Sequence, residues 1–231
     1  AWADATRKAA KGLGHEVLWS DLSAFDPVER AGHYDDPSDP VDVLKTQEAA
    51  SAAGALPGDV EAEITKLERA DRVIFHFPLW WFAPPAMLKG WFERVLAHGR
   101  THDVDNRFDR GRFRGKAALF CVTTGASAVE SGPDGKEGDT RLHLWLAAYT
   151  LRYLGFDVLE PVLVHGVHGY HKGERQEALR GRLKSALAGQ GALLAGFDGL
   201  PRMRFNADDE FDGAGRLKPD APSHSPFIRR A

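Results

Sequence analysis

Three short, almost uninterrupted apolar runs stand out from a chain that otherwise spaces its apolar residues every three or four positions. They are VIFHF (73–77), AALFCVTTG (117–125) and DVLEPVLVHGV (157–167). Runs of this length, bounded by polar or turn residues such as Asp71 and Pro78, predict strands buried on both faces. Pro161 interrupts the third, and HEVLW (15–19) is a fourth, shorter candidate that stops at Ser20-Asp21. The intervening segments carry helical periodicity. The first thirteen residues read as a helix ending at Gly12 or Gly14, and Asp59–Ala70 places Val60, Ile64 and Leu67 on one face. Pro84-Pro85 opens a helix bearing Met87, Leu88, Trp91, Phe92 and Val95, because proline is tolerated where helix donors lack internal partners. Thr140–Leu154 is helical and apolar on most faces, and Glu174–Leu187 is an amphipathic helix. Residues 26–58 are a long Asp-, Pro-, Gly- and Ala-rich connection with a short helix near Val43–Ala53.

Strands alternating with helices predict an α/β fold with a doubly wound parallel sheet covered on both faces. In such sheets ligands bind beyond the carboxyl ends of the strands. PLWWF (78–82) and TTGAS (123–127) fall there, and they form the expected site before any ligand is named. The aromatic run can provide a flat, dry wall, and the Thr-Gly-Ala turn lets backbone N–H groups approach a ligand closely. Residues 1–195 are expected to form this domain, with 196–231 as an irregular extension.

Composition narrows the picture modestly. A chain of 231 residues needs only one α/β core. Its formal net charge of −3 offers no general attraction to nucleic acid, and no run of 18 apolar residues predicts a membrane span. A single cysteine, Cys121, rules out an internal disulfide framework and fits a cytoplasmic protein. His165, His168 and His171 recur at three-residue intervals, but a glycine loop gives them no fixed common face, so no metal is expected. Asp208, Glu210 and Asp212 imitate a calcium loop until Pro219 stands where a glutamate is required. The chain opens at Ala1 in mid-helical pattern, with no signal-peptide features, which predicts a preceding segment.

The run DRVIFHFPLWWFAPPAMLKGWFERV (71–95) resembles the signature of the NAD(P)H:quinone oxidoreductases of the DT-diaphorase type. FRGKAALFCVTTGAS (113–127), GPDGKEGD (132–139), LRYLGFDVLEP (151–161) and GHEVLWSDL (14–22) extend the resemblance over roughly Ala1 to Leu187. It implies a flavodoxin-like sheet holding FAD (FMN less readily), with NAD(P)H as co-substrate and a quinone or similar flat molecule as acceptor. It also implies a homodimer, with Trp91–Val95 or the 98–116 loop at the interface. The matching positions place Leu79, Trp80, Trp81 and Phe82 along one edge of the isoalloxazine, and Thr123, Thr124, Gly125 and Ala126 along its pyrimidine side. Arg175 matches a contact near the far end of FAD. The first strand and the phosphate loop would precede Ala1.

One loop departs from the family pattern. Where a tyrosine and a histidine commonly stand near the reduced flavin, this chain has Ser131 and Glu137. Catalytic polar roles therefore stay open among Ser131, Lys136 and Glu137. Beside the enzyme reading stand two others: a flavin-binding regulatory or sensor subunit with little turnover, and a flavodoxin-like electron carrier.

Overall fold

The computed structural model describes residues 1–230. Its helices are α1 (Trp2–Gly12), α2 (Val43–Ala53), α3 (Gly58–Arg69), α4 (Ala86–Val95), α5 (Thr140–His143), α6 (Trp145–Tyr153), α7 (Glu174–Ala188) and α8 (Gln190–Ala195). The strands are β1 (Arg72–Pro78), β2 (Ala117–Thr123), β3 (Asp157–Val158) and β4 (Val162–Val164). β2 pairs in parallel with β1 over its whole length, from Arg72–Ala117 to Pro78–Thr123. Its other edge pairs in parallel first with β3 and then with β4. The third apolar run is thus one row broken at Glu160-Pro161, where proline has no N–H for the ladder.

Alternate residues of the strands feed two different cores, as the period of two requires. Phe75, Phe77, Ala118, Phe120 and Val122 pack with α3, α4 and α6 through Ile64, Leu67, Trp91, Phe92, Val95 and Leu151. Ile74, Leu119 and Cys121 face the opposite side, against Trp2, Ala9 and Ala10 of α1 and Leu194 of α8. Helices therefore cover both faces, and the continuous apolar character of the strands follows from that double burial.

Two expectations change. Residues 15–19 form no strand. A strand needs a ladder partner, and among the described residues β1 pairs only with β2. A slot of about 480 Å³, lined by Leu18, Trp19 and β1 residues 72–78, separates the segment from the free edge of β1. The Trp91–Val95 stretch is also no free surface: Trp91, Phe92 and Val95 are buried within their own core. At its centre the fully buried Arg94 guanidinium donates to Asp59 at 2.6 Å and to the Asp26 carbonyl at 2.9 Å, and stacks on Phe25. This ties the long 26–58 connection to α3 and α4. The 196–231 segment is largely irregular yet joins the sheet edge, with the Met203 N–H donating to the Val158 carbonyl and Phe205 packing edge-on against Trp145.

Candidate functional site

The carboxyl ends of β1 and β2 lie side by side, locked by the Leu79 N–H donating to the Thr123 carbonyl at 2.8 Å. Immediately beyond, residues 80–83 close a tight turn through two backbone hydrogen bonds between Trp80 and Ala83. Its two central residues sit in the left-handed region, Trp81 at φ 51° and Phe82 at φ 62°. For residues with a Cβ this costs roughly 1–2 kcal/mol each, and strain of this kind persists where the surroundings or a function demand it. The turn does not bury its aromatics: Trp81 is 94% exposed, Trp80 60% and Phe82 49%. Such an arrangement offers aromatic surface to a ligand or a partner, at a local cost that a core role would not require.

Opposite stands the turn after β2. Three backbone hydrogen bonds clamp it to residues 164–167: Thr124 N–H to Val164, Gly166 N–H to Ala126, and Val167 N–H to Thr124. The Thr124 hydroxyl lies 3.0 Å from the Ala126 carbonyl and 2.8 Å from His165 Nδ1. Having one hydrogen, it donates to the carbonyl and accepts from an Nδ1–H imidazole. Burial, helped by the charge of Arg141, holds His165 below the ordinary histidine range, which favours that neutral form. With the turn fixed this way, the Gly125 and Ala126 N–H groups make no backbone hydrogen bond among the described residues and can serve a ligand.

Between the two turns lies an open cavity of about 270 Å³. It is lined by Leu79, Trp81 and Phe82 on one side, Thr124, Gly125 and Ala126 on the other, and Ser131, Glu137, Gly138, Thr140 and His143 below. The 127–138 loop supplies part of that floor. Ser131 is buried, and its carbonyl accepts from the Thr140 N–H at 3.1 Å. Gly135 is packed so closely that a Cβ there would lie 2.2 Å from the Glu130 carbonyl oxygen. That same oxygen accepts the Glu137 N–H at 3.0 Å. Lys136 turns outward: its ammonium pairs with Glu130 at 2.8 Å and, with the Ser127 N–H and hydroxyl, holds the Glu130 carboxyl down to about 2.

The structure thus brings together Leu79, Trp81, Phe82, Thr124, Gly125, Ala126, Ser131 and Glu137 around one cavity. Thr123 ends β2 at its edge, Trp80 opens the aromatic turn, and Lys136 points away into its ion pair. Arg175 lies exposed on the first turn of α7, outside the cavity lining. Two residues of the site escaped sequence reasoning. His143 follows Thr140 by three positions on α5, and that i, i+3 spacing was the available signal. His165 was set aside with its neighbours: the rings of His168 and His171 stack 3.9 Å apart, while His165 turns to Thr124. Other cavities are roomier; the two largest, the slot beside β1 and a hollow of about 920 Å³ under the C-terminal extension, lack this convergence at the strand ends.

Comparison with known proteins points the same way. The family model described as "Flavodoxin-like fold" matches residues 1–187. NAD(P)H dehydrogenase [quinone] 1 of Rattus norvegicus is 40% identical over 187 residues, covering 78% of this chain and 68% of its own. Ribosyldihydronicotinamide dehydrogenase [quinone] of Mus musculus is 41% identical over 183 residues, covering 74% and 78% respectively. A Klebsiella pneumoniae protein solved as a candidate quinone reductase superposes with a TM-score of 0.76 at 29% identity, covering 96% of this chain and 89% of that one.

Proposed function

Because the chain belongs to the flavodoxin-like fold family, we propose that it is a flavin-dependent NAD(P)H oxidoreductase that reduces quinones or similar flat acceptors. The observation that carries this reading is the strained, exposed aromatic turn at Trp81–Phe82, facing the unpaired donors of Gly125 and Ala126 across one cavity. A planar heterocycle with acceptor atoms along one edge satisfies both walls, and a bound flavin supplies the hydride chemistry. The residues present fit that group. Leu79, Trp80, Trp81 and Phe82 stack on or flank the ring, and Thr123, Thr124, Gly125 and Ala126 approach its polar edge. His165 positions the Thr124 hydroxyl.

FAD, rather than FMN, is our choice of cofactor, with Arg175 reaching its far end. We also propose a homodimer. Trp81, Val104, Leu142 and Leu146 are exposed, between 48% and 94%, and the cavity is open on its outer side, so a second copy could close it. The buried, reduced Cys121 accords with a cytoplasmic setting.

The test is to release and identify the flavin of the purified protein and to follow oxidation of NADH and NADPH with and without a quinone. Quinone-dependent oxidation is expected. A protein that binds flavin yet oxidises neither nucleotide would instead be the regulatory subunit.

A further inference from the structure

The cavity floor contains one imidazole among its lining residues, His143, whose ring is held from three sides. Its centroid lies 5.2 Å from that of Phe82, tilted by 46°. Its Nε2 is 2.8 Å from the Glu137 carbonyl oxygen, which can only accept, so Nε2 carries hydrogen. Gly138, at φ +77°, backs the ring so tightly that a Cβ would stand 3.1 Å from Nε2. This fixes the ring and leaves Nδ1 without a protein hydrogen bond among the described residues.

Three neighbouring polar groups are committed elsewhere, whereas the buried Ser131 hydroxyl makes no protein hydrogen bond among the described residues. The Thr140 hydroxyl faces the Ser131 carbonyl, Lys136 pairs with Glu130, and the Thr124 hydroxyl serves Ala126 and His165. Glu137 is exposed, and an ionised carboxylate only accepts hydrogen bonds. Taking the flavin reading above as its premise, we propose that His143 is the side chain that contacts the bound ring system and stabilises its negative charge after reduction, in place of Ser131, Lys136 or Glu137. Hydride transfer from NAD(P)H delivers two electrons and one proton, leaving NAD(P)⁺ and one net negative charge on the ring. Quinone then takes the hydride, together with a proton from solvent, and leaves as hydroquinone. In this role the His143 imidazole is doubly protonated, its Nε2–H on the Glu137 carbonyl and its Nδ1–H toward the ring; it acts as a charged hydrogen-bond donor through both halves and loses no net proton.

The experiment is a spectroscopic redox titration of FAD bound to the wild-type protein and to His143→Ala, His143→Gln and Glu137→Gln, with the affinity for oxidised FAD measured alongside. His143→Ala should lose at least tenfold of the preference for reduced over oxidised flavin, about 30 mV for a two-electron couple. His143→Gln, which keeps an amide donor, should recover part of it, and Glu137→Gln should move the potential less than His143→Ala. An unchanged potential in His143→Ala, or a larger change in Glu137→Gln, overturns the assignment. Should His143→Ala fail to hold flavin, the imidazole ¹⁵N signals of the wild-type protein decide. A shift of the His143 Nδ1 signal on flavin reduction supports the assignment, and no shift overturns it. A wild-type protein that binds no flavin at all would remove the proposed function, and this inference with it.

Discussion

Substituting Gly135 by alanine tests whether the 127–138 loop builds the cavity floor. The new Cβ would sit 2.2 Å from the Glu130 oxygen, 2.3 Å from the Val129 oxygen and 2.4 Å from the Glu130 carbon. All three are backbone atoms, so no side-chain rotation relieves the clash. Reaching ordinary contact requires residues 129–130 to retreat by about 1 Å, which costs roughly 1–3 kcal/mol in a well-packed site. The retreat also strains the hydrogen bond from the Glu137 N–H to the Glu130 carbonyl, worth about 1 kcal/mol. The loop is mostly exposed and contributes little to either core, so it can open without unfolding the domain. The cost should therefore fall on the cavity, where about 1.4 kcal/mol is tenfold in affinity. Flavin binding should weaken at least tenfold in a fluorescence titration of the apoprotein, while the melting temperature falls by less than about 4 °C, the size of a 1–2 kcal/mol global loss. Gly213→Ala is the control, since its Cβ meets nothing within 4 Å. Unchanged flavin affinity in a folded Gly135→Ala protein would refute the role given to the loop.

Arg94→Leu should cost about 1–3 kcal/mol, because it leaves the Asp26 carbonyl unpaired at a fully buried position, while the 45%-exposed Asp59 regains water. The melting temperature should drop by roughly 2–12 °C, and a loss under about 1 kcal/mol in denaturant unfolding would contradict that account. His76 makes stability acid-sensitive: burial pushes its imidazole down to about 4, and both ring nitrogens lack partners. The unfolded chain takes up this proton near pH 6.5 and the folded chain only near pH 4. Stability is thus fully present above pH 6.5 and is lost as pH falls between those values, by about 3 kcal/mol in all. His76→Phe should flatten that part of the stability–pH curve, and an equally steep curve would dismiss His76 as its cause.

Much of the framework was legible because double burial writes itself into sequence. β1 and β2 are continuous apolar runs whose alternate residues serve two cores, and Pro161 announced the break between β3 and β4. Residues 15–19 have the same local character, yet a strand is a pairwise object, and no described neighbour offers them a ladder. At the site, PLWWF and TTGAS were visible from their place after the strands. The left-handed turn at Trp81–Phe82 was not, since nothing in Trp-Trp-Phe signals positive φ as glycine would. His143 and His165 were hidden for a different reason. Each acquires its place through a partner distant in sequence or through a carbonyl, Phe82 and Glu137 for the one and Thr124 for the other.

The central claim, that the cavity between the aromatic turn and the Thr-Gly-Ala turn runs flavin-mediated hydride transfer, is tested most directly by one anaerobic absorbance titration. Protein carrying its flavin is mixed with one equivalent of NAD(P)H and then with one equivalent of a small quinone. The account predicts that the oxidised-flavin band bleaches at the first addition and returns in full at the second. A band that survives the nucleotide, or that stays bleached after the quinone, would contradict it.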